Sequence, residues 1–133
     1  MSIPGTPCDQ RVEGYTAMKY LCLIYDEEKR FESLARGEMD ALMGEYFAFT
    51  KDIRQSGHYL GGHDLQPTKS ATTVRVRNGR TSTTDGPFAE TKEQIGGFYV
   101  VDVPSLDRAL EIAAMIPAAK TGSVEVRPVM VFS

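Results

Sequence analysis

The chain has few of the residues on which several common kinds of site depend. Its 133 residues include only two cysteines and two histidines. Cys8 lies in a polar segment and Cys22 in an apolar run, so we expect both thiols to be reduced. His58 and His63, with the scattered carboxylates, lack any recognised metal-ligand spacing. The sequence therefore predicts no metal site and no bound cofactor.

The chain also lacks a large excess of either charge and a long apolar run. With 15 basic and 18 acidic side chains, its formal net charge is −3, so it has no global positive field to hold nucleic acid. No apolar run approaches the roughly 18 residues of a membrane span. The first residues lack the basic start and apolar centre of a signal peptide. We expect a cytoplasmic protein that binds neither nucleic acid nor a membrane.

What the chain does contain is sufficient for one domain. At this length, with 41% hydrophobic residues, the chain can form one hydrophobic core and is too short to form two stable domains. Residues 1–17 are rich in Gly, Pro, Thr and charge, which predicts a flexible leader. The domain is expected at residues 18–133. Its first segment, residues 18–25, is nearly continuous in apolar and aromatic residues, which is typical of a central strand buried on both faces.

Hydrophobic periodicity predicts two helices. The first covers residues 38–56, where apolar residues recur at three- and four-residue steps, and it ends at Gly57. Before it, residues 26–37 are expected to be irregular or partly helical. The second helix begins after Ser105, whose hydroxyl can cap free backbone amides, and ends at Pro117.

Strand patterns occupy much of the remaining chain. Residues 71–77 and 80–84 flank Asn78-Gly79, a pair typical of a two-residue hairpin with positive φ at both positions. Residues 97–103 are expected to form an apolar strand, and Pro128 indicates an edge position or a bulge for the strand at residues 124–132. The order is an α+β arrangement of βαββαβ type with an added hairpin. Both helices would cover one sheet face, so we expect a homodimer that covers the other.

One segment carries a more specific signal. The run Asp85-Gly86-Pro87-Phe88-Ala89-Glu90-Thr91-Lys92-Glu93-Gln94-Ile95-Gly96-Gly97-Phe98 resembles the signature of the DGPF group of the YCII-related family. Residues 18–20, 65–67, 71–77, 116–119 and 122–129 are also similar to that group, so the resemblance extends from Met18 to the C-terminus. It implies a ferredoxin-like fold whose open sheet faces meet in a dimeric α+β barrel.

The resemblance implies no firm activity. Some YCII relatives are thought to act through a His-Asp pair near a cleft, and one is described as a dehydrochlorinase acting on a chlorinated aromatic. The histidine of those relatives lies in the first helix, where this chain has Tyr46 and Phe47 and no histidine, so that pair is not transferred. DGPF members are also often encoded beside alternative sigma factors, an association with stress-linked regulation.

The candidate catalytic residues are Asp85, His63, Lys92 and Glu90. Glu90 and Lys92 follow Asp85 closely, and carboxylates held together can raise one carboxyl pKa for acid/base chemistry. His63 beside Asp64 is a candidate base, although adjacent side chains in a strand point to opposite faces. A solvated loop in which Asp85 accepts local amide hydrogen bonds explains the same segment.

The candidate ligand-binding residues are Tyr20, Tyr46, Arg75 and Phe88. The tyrosines can line a pocket and offer hydroxyls, although aromatic residues at these spacings are more often core. Arg75 shares one hairpin face with two further arginines, which can receive an anion or remain solvated. Two functions stay open. One is a small acid/base enzyme, lyase- or isomerase-like, acting on a small polar or aromatic molecule near the DGPF loop. The other is a noncatalytic ligand-sensing or protein-interaction module.

Overall fold

The computed structural model describes residues 18–132, which form a four-stranded sheet, a separate hairpin and three α-helices. The strands are β1 (Met18–Asp26), β2 (Tyr59–Asp64), β3 (Thr72–Arg77), β4 (Arg80–Asp85), β5 (Gln94–Val103) and β6 (Ser123–Pro128). The helices are α1 (Glu28–Glu32), α2 (Arg36–Gln55) and α3 (Leu106–Met115), with 3₁₀ turns at Thr68–Ser70 and Pro117–Lys120. The predicted leader and Cys8 lie outside the described residues.

The four-stranded sheet has the order β2-β5-β1-β6, and each pair of neighbours is antiparallel. Helix α2 lies in the connection from β1 to β2, and α3 lies in the connection from β5 to β6. This strand order with these connections is compatible with a ferredoxin-like α+β fold. The sequence correctly predicts β1 as a central strand. Strand β6, which contains Pro128, lies at an edge of the sheet, one of the positions that its sequence indicates. Proline has no backbone N–H to donate to a neighbouring strand, and an edge strand tolerates this loss.

The hydrophobic core lies between the sheet and the two longer helices. From β1, the side chains of Tyr20, Cys22 and Ile24 enter this core, where they join buried residues of β5, α2 and α3. The alternate residues Leu21 and Leu23 point to the other face and are only half-buried. Within one chain, the expected burial of β1 on both faces is therefore seen on one face only, because both long helices lie on that side.

The helix boundaries follow the capping signals in the sequence. α2 ends just before Gly57, which has a φ of +80° and so terminates the helix in the left-handed region. At the start of α3, the Ser105 hydroxyl accepts a hydrogen bond from the Arg108 amide at 3.2 Å. The segment expected to be partly helical contains the short helix α1. No helix within residues 18–132 combines the length and apolar character needed to cross a membrane.

The hairpin of β3 and β4 forms where the sequence predicts it. Asn78 and Gly79 have φ values of +53° and +74°, the positive pair that a two-residue turn of this type requires. Arg77 pairs with Arg80 in the predicted register. The hairpin belongs to a sheet of its own, separate from the four-stranded sheet, and every residue of β4 is exposed.

Strand β2 is the one sheet element of the described chain that the sequence did not indicate. Its sequence contains Gly61 and Gly62, and glycine inside a strand weakens the usual strand pattern. Gly62 is needed because a Cβ there would lie 2.7 Å from the carbonyl oxygen of Phe98 in the neighbouring β5. Gly62, one of the two glycines that weaken the strand pattern in the sequence, thus allows the close pairing of β2 with β5.

Gly122 makes an even closer approach, just before β6. A Cβ at this position would overlap the Tyr25 carbonyl oxygen and lie 3.0 Å from the Asp26 Cα, both backbone atoms of β1. Because neither backbone atom can move without distorting the central strand, only glycine fits here.

We expect Gly122→Ala to lower the free energy of unfolding by about 3 kcal/mol, the upper range for overpacking a rigid site. Gly44→Ala is the matched control, since a Cβ at this α2 position meets nothing within 4 Å. The control should gain about 0.5–1 kcal/mol from helix propensity. Urea denaturation of both variants measures the contrast, and equal effects at the two glycines would contradict the close packing at residue 122.

Candidate functional site

A cavity of about 270 Å³ opens between α1, α2 and the adjacent ends of β1 and β2. Its walls are mostly apolar and include Ile24, Phe31, Leu42, Met43 and Leu65. Its polar lining side chains are Asp26, Glu28, Glu32, Tyr46, Asp64 and Gln94. An apolar cavity with a few polar groups is the usual composition of a small-molecule site.

The local sequence explains why a cavity forms at this end of the sheet. The pairing of β1 with β5 is irregular between Ile24 and Tyr25, which bends the end of the strand. The chain then enters the short helix α1 and returns along α2. On α2, Leu42 and Tyr46 are one turn apart and line the same space. The cavity is therefore enclosed by the β1–α1–α2 connection.

Asp26 is a buried charge in the cavity wall, with 5% of its surface exposed. Its Oδ2 accepts hydrogen bonds from Arg30 Nη2 and Thr121 Oγ1, both at 2.8 Å, and its Oδ1 accepts from the Glu27 amide at 2.8 Å. Burial is the largest influence and favours the neutral acid, but the three donors together outweigh it. They hold the pKa of Asp26 below its usual value. The carboxylate is thus ionised and fully engaged.

Tyr46 supplies a hydroxyl to the same cavity. Burial raises the pKa of Tyr46 to about 12, and the nearby carboxylates of Asp26 and Asp64 contribute in the same direction. The hydroxyl therefore remains protonated at neutral pH and can donate a hydrogen bond to a ligand. Tyr46 lies in a cavity as the ligand-binding hypothesis requires, whereas Tyr20 is buried in the core, with its hydroxyl 3.6 Å from the Met18 sulfur.

A second, more polar cleft of about 480 Å³ adjoins the cavity. Glu28 and Gln94 line both spaces. The Glu28 carboxylate accepts hydrogen bonds from the amide and the hydroxyl of Thr68, at 2.8 and 2.6 Å. Two of the candidate catalytic residues, Glu90 and Lys92, line this cleft. The DGPF loop, residues 85–93, thus contributes to the polar cleft, although not to the apolar cavity.

The other two candidate catalytic residues lie elsewhere. Asp85 is exposed at the end of β4, where the following amide, that of Gly86, donates to the Ala71 carbonyl at 2.7 Å and ties down the turn. His63 is exposed on β2, with its ring centroid 5.9 Å from that of Phe98. Neither Asp85 nor His63 is among the described residues that line the cavity or the cleft. Glu90 and Lys92 are brought together, and Asp85 and His63 are not.

The remaining candidate ligand-binding residues lie at the surface. The Arg75 guanidinium is 6.0 Å from the ring centroid of Phe88, and 80% of Phe88 is exposed. This is a solvent-exposed cation–π contact, which is typically weak. Neither residue belongs to the described lining of the cavity or the cleft.

The acidic side of the cavity was not predicted from the sequence. Residues 26–37 were expected only to be irregular or partly helical. Asp26 and Arg30 are four residues apart, the separation at which opposite charges pair on a helix. This spacing is the sequence signal that could have indicated their ion pair. Within residues 18–132 no group of three or more potential ligands could hold a metal ion. Cys22 is buried, and burial raises the pKa of its thiol to about 11, so the thiol is a poor nucleophile.

Asp26 should make the stability of the protein dependent on pH. Because its pKa is lowered in the folded state, its contribution is present above its usual pKa, near 4, and is lost as the pH falls below that value. At pH 7 we expect Asp26→Asn to lower the free energy of unfolding by about 2 kcal/mol, typical of losing hydrogen bonds to a charged group.

As the pH falls below about 4, the difference between Asp26→Asn and the native protein should shrink progressively, since the lowered pKa makes the stabilising contribution of the carboxylate decline with protonation. Urea denaturation at several pH values measures both quantities. Asp107→Asn is the control, because Asp107 is exposed on α3 and should show no such convergence. A difference for Asp26→Asn that stays constant from pH 7 to 2.5 would contradict this account.

Comparison with known proteins identifies the family of the chain. Residues 18–133 match the YCII-related domain. An uncharacterised protein of Rhizobium meliloti (strain 1021) is 38% identical over 117 residues, which covers 86% of this chain and 94% of that protein. The match begins at the first residue of β1 and includes every element of the domain. The chain belongs to the YCII-related domain family.

Proposed function

We propose that the protein binds a small molecule with an apolar body in the cavity between α1 and α2. The observation that supports this is the cavity itself, in which mostly apolar walls surround a few polar groups. Its volume of about 270 Å³ is near the lower end of ligand sites. The ligand should therefore be a compact molecule, such as one carrying a single aromatic ring.

The protonation states in the cavity favour binding over proton transfer. Tyr46 has a pKa of about 12, and the pKa of Asp26 is lowered, so both groups are moved away from neutral pH. A general acid or base works best with a pKa close to the operating pH. The Tyr46 hydroxyl is suited to orient a ligand, whereas Asp26 already has its hydrogen bonds satisfied.

Acid/base chemistry in the adjoining cleft is a second candidate function. Glu90 and Lys92 place a carboxylate and an ammonium on one concave surface. Asp85, which the enzyme hypothesis brings together with one of them, is not part of this lining. Lys92 is also 3.8 Å from Glu27 across the cleft. A substrate bound in the cavity could extend past Glu28 and Gln94, which both spaces share, to reach this pair.

We also propose that the protein is a homodimer in which two sheets meet face to face as a dimeric α+β barrel. The face opposite the helices has four half-buried apolar side chains on the two central strands. Leu21 pairs with Val100, and Leu23 pairs with Phe98, so all four lie on the same side. The buried side chains of α2 and α3 lie on the other side. A second copy would bury this patch.

Ligand binding can be tested by filling the cavity. Met43 lines it, whereas Phe47, one turn later on α2, is 75% exposed and outside the lining. We expect Met43→Trp to weaken binding of a neutral aromatic fragment, 2-phenylethanol, at least tenfold, or about 1.4 kcal/mol. Phe47→Trp, the matched control, should leave affinity within about twofold.

Protein-observed NMR titration gives the dissociation constants and shows whether the shifted amides belong to α1, α2 and the end of β1. Shifts confined to other surfaces, or equal losses in Met43→Trp and Phe47→Trp, would argue against binding in this cavity.

Dimerisation can be tested with a charge on the open sheet face. We expect the native protein to have the mass of a dimer by light scattering, and Leu23→Arg to have that of a monomer, because burying an unpaired charge is costly. Phe47→Arg places the same charge on an exposed position of α2 and should remain dimeric. A monomeric native protein would refute the proposal, as would a Leu23→Arg variant that is folded and dimeric.

A further inference from the structure

We infer that the ligand of this cavity is a small organic cation, an amine with an apolar or aromatic body. This inference rests on the function proposed above and specifies its ligand. The supporting observation is that all the charged side chains in the described lining of the apolar cavity are carboxylates. Four carboxylate side chains line it, and its described lining includes neither lysine nor arginine. The carboxylates are those of Asp26, Glu28, Glu32 and Asp64.

Among residues 18–132, one of these charges, that of Asp26, is offset by a neighbouring cation. Arg30 pairs with Asp26 at 2.8 Å, so that carboxylate adds little net field. Glu28 receives its two hydrogen bonds from Thr68, a neutral residue. Glu32 and Asp64 are exposed at the rim. Four carboxylates and one guanidinium leave three formal negative charges around a space with low-dielectric walls, where such a field is concentrated.

Besides Arg30, two lysines lie near the site, and both are in the adjoining cleft. Lys29 and Lys92 line that cleft. The Nζ atom of Lys92 lies 3.8 Å from the Oε1 atom of Glu27. Both lysines are outside the described lining of the cavity. An anionic ligand would therefore be repelled from the cavity. An ammonium group would find three carboxylates besides that of Asp26, which Arg30 already neutralises.

Two aromatic side chains complete a surface suited to a cation. Phe31 and Tyr46 both line the cavity, and an aromatic ring attracts a cation over its face. The pKa of Tyr46 is raised first by burial and further by the Asp26 and Asp64 carboxylates. The negative field of these carboxylates therefore reaches the position of the Tyr46 oxygen, next to which an ammonium group would bind.

Three fragments of matched shape test this inference. 2-Phenylethylamine is a cation at pH 7, 2-phenylethanol is neutral and phenylacetate is an anion. In NMR titrations at low salt, we expect the amine to bind at least tenfold more tightly than the alcohol, and phenylacetate to bind most weakly. The advantage of the amine should shrink at high salt, because rim charges are screened.

The fragments also separate the two proposals. If 2-phenylethanol binds in the cavity as tightly as the amine, the inference about charge is wrong and the proposed function stands. If none of the three fragments binds there, the proposed function fails, and the inference fails with it.

Charge-neutralising variants identify the groups responsible. We expect Asp64→Asn and Glu32→Gln each to weaken 2-phenylethylamine binding at least threefold, with 2-phenylethanol affinity unchanged. Unchanged alcohol binding also shows that the variants are folded. Asp107→Asn removes an exposed carboxylate on α3 and should alter neither affinity. Equal effects on the amine and the alcohol in Asp64→Asn and Glu32→Gln would overturn the inference.

Discussion

The buried carboxylate of Asp26 is the constraint around which this end of the domain is organised. A charge removed from water requires compensating partners, and here three donors from two parts of the chain supply them. The Glu27 amide and Arg30 belong to the start of α1, and Thr121 follows the second 3₁₀ turn. Gly122 adds the close approach of that segment to β1. One ionised group thus positions the first helix, the last connection and the end of the central strand.

This constraint also explains why the cavity has its particular shape. α1 is short and has no buried residues of its own, so hydrophobic burial alone would hold it weakly. Its attachment through Arg30 and Asp26 keeps it near α2 without filling the space between them. The result is a gap in the packing at the edge of a well-filled core, with apolar walls and carboxylates at its mouth.

The sequence predicts the elements with strong local signals and misses those that depend on distant contacts. The hairpin at Asn78-Gly79 and the helices ending at Gly57 and beginning after Ser105 follow from backbone preference and capping. β2 was missed because Gly62, within the strand, is explained only by the Phe98 carbonyl of β5. The cavity was missed for a similar reason, since its lining combines residues from segments 24–46 and 64–96. The resemblance of the DGPF loop to a family signature favoured candidate catalytic residues at positions 85–92. None of these residues lines the apolar cavity.

The separate hairpin has a consequence for how such domains can diversify. β2 and β5 are adjacent antiparallel strands, with Asp64 opposite Gly97, so the residues between them amount to an insertion at the tip of a β-hairpin. The core is complete without this insertion, because its buried residues all come from other elements. Leu65 and Pro67, at the root of the insertion, nevertheless line the cavity. Changes in the length or sequence of the insertion could therefore reshape the ligand entrance while the folding core stays the same.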